Sequence, residues 1–125
     1  MKLILDKSFQ VDKLKLYLKL FKLHKSYLAF LSDQKEMGIG DVTLGSPQRI
    51  KGVKSTSSTY HLFGIQQKLL SSVITKRMTN FLDMPVLLLL FIKEKVEENE
   101  IARPIVDFIN ENLKDLRESE ELLDY

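Results

Sequence analysis

The side chains with which this chain could do chemistry are few: two histidines, a Gly-Ile-Gly triplet, a cluster of basic residues and scattered carboxylates. His24 stands among Leu23, Lys25 and Ser26, a turn composition, and His61 follows Tyr60 in a stretch that reads as strand. Neither has a Glu or Asp at metal-ligand spacing on a helix, so no zinc site is expected. A His–Ser–Asp relay lacks its nucleophile-elbow glycines. Gly38-Ile39-Gly40 begins like a dinucleotide fingerprint, but the third glycine is absent. Val42-Thr43-Leu44 also continues as strand where a helix would have to start. The glycines are therefore expected to serve a tight turn that needs positive φ. There is no Walker A motif, and without Cys there is no thiol nucleophile and no Cys-based zinc site. The sequence predicts a protein that is not an enzyme and uses no cofactor or metal.

Charge is distributed unevenly. Residues 1–60 carry 11 Lys and Arg against 5 Asp and Glu, a net of +6, and residues 61–125 carry 8 against 12, a net of −4. Such asymmetry suits a basic binding face or complementary surfaces for association. Most of the basic residues are Lys and aromatic interleaving is missing, so nucleic acid is an unlikely partner. Lysines along strand faces also keep a sheet soluble.

The elements that must position these residues follow from periodicity. Lys2–Leu5 reads as a first strand. Lys13–Leu20 alternates, with Leu14, Leu16, Leu18 and Leu20 on one face and Lys13, Lys15, Tyr17 and Lys19 on the other. Leu23–Ser26 reads as a turn, Tyr27–Leu31 as the second strand of that hairpin, and Val42-Thr43-Leu44 as a third strand paired antiparallel in a meander. Residues 45–58 are rich in Gly, Pro, Ser and Thr and read as a loop carrying Arg49, Lys51 and Lys54, followed by a strand at Thr59–Phe63. From Gln66 the spacing becomes helical through Leu69, Leu70, Val73, Ile74, Met78, Phe81 and Leu82. After the strand Val86–Ile92 and an acidic turn from Glu94 to Glu100, a second helix is expected to begin near Arg103-Pro104, with Pro in the first turn.

Val86–Ile92 is apolar at every position, the mark of a strand buried on both faces. Two helices can cover one face of the sheet, and the other then needs a partner sheet. Four side chains facing that partner contribute gross about 6–12 kcal/mol. The expected fold is thus α+β: an antiparallel sheet of about six strands, two helices on one face, and the other face buried in a dimer. Val86, Leu88, Leu90 and Ile92 are the expected core-strand and dimer-interface residues; Arg49, Lys51, Lys54 and Tyr60 are the expected partner-binding loop. Asp or Lys at Leu88 and Leu90 is expected to give insoluble or monomeric protein.

The succession of hairpin strands, the turn at Met37-Gly38, the strand Val42-Thr43-Leu44, a polar loop, the strand near Tyr60, the helix Leu69–Leu82, Pro85-Val86-Leu87-Leu88-Leu89 entering an apolar strand and a final helix resembles the small proteasome assembly chaperones. The likeness is to the third and fourth members of the eukaryotic set. It spans residues 13 to 116. The resemblance implies a non-catalytic chaperone that works as a homodimer or heterodimer of similar chains, holding proteasome α subunits while the α ring forms. Other proteasome chaperones dock a tail ending hydrophobic–Tyr–any residue, whereas this chain has Leu123-Asp124-Tyr125, which departs from that motif. A roadblock- or longin-like scaffold binding a small GTPase is the alternative, and a nucleic-acid binder using the Lys-rich face comes third. One domain is expected over 1–117 with an acidic, frayed tail over 118–125, and a cytoplasmic location. The longest apolar run, Met84–Ile92, is nine residues, against roughly 20 for a membrane span.

Overall fold

The computed structural model describes residues 1–47, 56–62 and 67–118. Six strands and two helices follow in the order β1 (Lys2–Val11), β2 (Leu14–Leu23), β3 (Ser26–Ser32), β4 (Asp41–Ser46), β5 (Thr56–His61), α1 (Lys68–Leu82), β6 (Val86–Phe91) and α2 (Glu98–Glu118). They form one mixed sheet in the order β1-β2-β3-β6-β4-β5. Two-residue turns join the first three strands, and Asp12 and Lys25 take left-handed conformations in them (φ 56° and 52°), as tight hairpins require. β1 runs past Leu5 to Val11, farther than its polar centre Asp6-Lys7-Ser8 suggests, because Phe9 and Val11 resume the inward alternation.

The meander expected of β2, β3 and β4 does not close. β6 lies between β3 and β4, parallel to β3 and antiparallel to β4. The reason is in its composition: a strand apolar on both faces is best placed at the centre, with ladders on both edges. The β3–β4 connection must then cross the C-terminal end of β6. The Asp33 carboxylate fastens that crossing, accepting the N–H groups of Lys93 and Glu94, each at 2.9 Å. The positive φ of this turn belongs to Met37 (66°), not to Gly38 as the sequence suggested. Gly38 is needed for close approach instead, since a Cβ there would lie 2.6 Å from Cδ2 of Phe91.

Both helices pack on one face of the sheet, α1 over β4, β5 and β6, and α2 against α1 and β1. Leu16, Leu18, Leu20, Ala29, Leu31, Val86 and Leu88 point into this layer and are fully buried with Leu70, Ile74, Met78, Ile105, Ile109 and Leu113. Phe9 stacks on Phe108, ring centroids 3.7 Å apart, joining β1 to α2. The Arg117 guanidinium lies 4.0 Å from the Phe81 ring centroid and donates to the Phe81 carbonyl, so a cation of α2 satisfies the carbonyl end of α1. α1 stops at Asp83, left-handed at φ 53°, just before Pro85.

Two helix details differ from the sequence pattern. α2 begins at Glu98, and Pro104 lies inside it. The carbonyl of Glu100 thereby loses a donor, on a side of the helix where Arg103 and Pro104 are exposed. In α1, Leu69 and Val73 do not face the core; Ser71, Thr75 and Thr79 do. That row is small because Gly45 of β4 comes against it: a Cβ on Gly45 would lie 2.5 Å from Thr79 Oγ1 and 2.6 Å from Thr75 Cγ2. Gly45→Ala is therefore expected to cost about 1–3 kcal/mol by overpacking, read as a lower urea midpoint with an unchanged slope.

Candidate protein-binding face

The registers line the side chains of the uncovered face into rows. Leu3, Phe21, Leu28, Leu87, Leu44 and Ser58 stand in one row across all six strands. Asp6, Lys19, Phe30, Leu89, Val42 and Tyr60 stand in the next. Leu62 continues the β5 edge, its N–H bonded to the Gly40 carbonyl at 2.7 Å, and Phe91 stands opposite Ser32 at the end of β6. Phe21 and Phe30 meet edge to face, 5.9 Å between centroids. No described helix covers this face. Leu44 is 51% exposed, Leu62 54% and Tyr60 68%, while Phe21, Leu28, Phe30, Val42, Leu87, Leu89 and Phe91 are half-buried by one another. A contiguous apolar patch of this kind marks an interaction surface. Its margin on β2 is basic, with Lys15 and Lys19, and Lys15 lies over the Tyr17 ring at 5.6 Å.

The expected interface residues fall on the other side. Val86, Leu88, Leu90 and Ile92 are 0–2% exposed, and the three in β6 point into the helix layer. The half-buried alternates of the same strand, Leu87, Leu89 and Phe91, are the ones a partner would meet. Sequence alone could not choose between the two sets, because both are apolar. The choice rests on which strands flank β6. Of the expected binding loop, Arg49, Lys51 and Lys54 lie outside the described residues, and Tyr60 stands on the open face.

One polar cluster stands out in the interior. Asp41, 1% exposed, accepts a hydrogen bond from the Gln67 N–H at 2.6 Å through Oδ2 and bonds His61 Nδ1 at 2.7 Å through Oδ1. It thus holds together residues on either side of the β5–α1 connection. From α2, the Glu98 carboxylate lies by the Leu69 and Leu70 backbone N–H groups, so two acids face the exposed donors of the α1 N-terminus. His24 lies far along the chain, in the exposed β2–β3 turn. Among the described residues no group of three or more His, Cys, Asp or Glu could hold a metal ion, and no helix is long and apolar enough to cross a membrane.

No family model matches the sequence, and neither does any curated protein. A solved structure does. A chain in the crystal structure of a novel chaperone complex for yeast 20S proteasome assembly superposes with a TM-score of 0.60, covering 93% of this chain and 94% of that one at 7% identity. This chain shares its fold with a proteasome-assembly chaperone complex. The match runs over nearly the whole length, while at this identity the side chains are this protein's own.

Glu98 gives the α1 N-terminus a pH dependence. Burial pushes its carboxyl above the ordinary 4.5, the Leu69 and Leu70 N–H groups pull it back in part, and the Asp41 charge raises it further. The folded protein therefore holds this proton more tightly than the unfolded chain. The contribution to stability is complete below pH 4.5 and is lost as pH rises through the higher folded value. Glu98→Gln is expected to remove that decline, seen as a difference between the melting temperatures of the two proteins that changes from about pH 4 to pH 7.

Proposed function

We propose that this protein is a non-catalytic assembly chaperone that pairs with a second similar chain, identical or not, through the open sheet face and holds proteasome α subunits while the α ring forms. The observation that carries this reading is the apolar face of β3, β6 and β4, left uncovered in a fold shared with a chaperone complex for proteasome assembly. Two such faces stacked about 10 Å apart make a sandwich, and their burial supplies the association free energy that the single chain forgoes. The basic margin at Lys15 and Lys19 sets orientation and rate more than affinity. The GTPase-regulator reading is disfavoured by chain order, since a long helix should fall between early strands and here five strands precede α1. The nucleic-acid reading keeps only the β2 lysines.

Two substitutions in adjacent positions separate core from interface. Leu89→Asp is expected to leave a folded protein by circular dichroism that sediments as a monomer, whereas Leu88→Asp, a charge placed in the helix layer, unfolds it by several kcal/mol. Tagged wild-type protein should then capture proteasome α subunits from a lysate of its own organism, with β subunits depleted. A Leu89→Asp protein that still dimerises refutes the sheet-face pairing, and capture without α subunits refutes the chaperone assignment.

A further inference from the structure

Besides the open sheet face, α1 presents a second surface that packing does not explain. Leu69 is 49% exposed and Val73 37%. They are the large apolar side chains left exposed on either described helix. At about 100° per residue, Leu69, Val73, Lys76 and Asn80 follow one stripe, with Lys68 and Arg77 at its flanks, and all six are exposed. α1 carries three cations and no carboxylate in its fifteen residues. None of the three forms an ion pair with a carboxylate among the described residues. α2 is different in kind: its outer positions Arg103, Asp107, Glu111, Lys114 and Asp115 mix both signs and expose no large apolar side chain, which is how a helix face that meets only water is built.

We propose that this stripe is a docking surface for an acidic protein surface with an apolar centre, and, resting on the chaperone reading, that this partner is the client α subunit and not the pairing chain. Three observations carry it. The stripe lies on the helix side of the sheet, opposite the open face, so both surfaces can be occupied at once. Its unbalanced charge of +3 asks for carboxylates opposite. Its centre is Leu69 and Val73, which a phosphate backbone would leave unused but a protein anchor would bury. The protein then acts as an adaptor, with one side making the pair and the other holding the client.

The test uses recombinant proteasome α subunits of the same organism, the full chain, and three variants: Lys76→Glu with Arg77→Glu, Leu69→Ser with Val73→Ser, and Leu89→Asp. Binding is followed at low and moderate salt, and sedimentation in parallel. Both α1 double variants should bind α subunits at least tenfold more weakly while sedimenting like wild type, and the charge reversal should also flatten the salt dependence. Leu89→Asp should change sedimentation first. α1 variants that keep wild-type affinity overturn this assignment and leave the chaperone reading intact. A loss confined to binding of a single-stranded RNA 20-mer overturns it in favour of nucleic acid. Wild-type protein that binds no α subunit refutes the chaperone reading itself, and this assignment with it.

Discussion

The structure depends on where β6 goes. A strand apolar on both faces gains most when hydrogen-bonded on both edges and covered on both sides. Inserted between β3 and β4, it satisfies the first condition and half of the second. Everything else follows from that placement. The β3–β4 connection must cross its end, hence the Asp33 carboxylate on the Lys93 and Glu94 N–H groups. α1 must cover Val86, Leu88 and Leu90, hence its close approach to β4 at Gly45. Leu87, Leu89 and Phe91 remain on a face that no described helix covers, and that exposure is the physical root of the pairing proposed above.

Much of this was legible in the residues. Strict alternation in β2, the helical spacing that starts after Gln66, and the doubly apolar β6 report their elements directly, because a period of two and a period of 3.6 leave different patterns. From the count of two helices against one sheet it also follows that a face is left open. Strand order was not legible. β3 and β4 are separated by a short turn-like segment, and proximity in sequence argues for pairing; only the tertiary gain of centring β6 overrides it. Parity failed for a related reason: Leu88 and Leu89 are chemically alike, and which of them is core is decided by neighbours that a linear pattern does not name.

The helices show the same division. Ile74, Met78, Ile105 and Ile109 are core by spacing and by structure. Leu69 and Val73 fit the same periodicity yet face outward, because α1 is rotated to set Ser71, Thr75 and Thr79 against β4. Pro104 looked like a first-turn residue, but Glu98 and Glu100 already favour a helix start by their charge at its positive end. The pairing of Asp41 with His61 and Gln67 carried no signal in the chain at all, since it joins residues 20 and 26 positions apart.

The central claim is that the open sheet face is covered in the working assembly. The chain contains no Cys, so a single one at Leu87 reports on that face alone, and one at Lys76 serves as an external reference. The measurement is the rate of maleimide labelling at each site, in concentrated protein and after stepwise dilution. Pairing through the sheet predicts slow labelling at Leu87→Cys that rises toward the reference as the pair dissociates. Labelling as fast at Leu87→Cys as at Lys76→Cys, at every concentration and with any similar partner chain present, would contradict it.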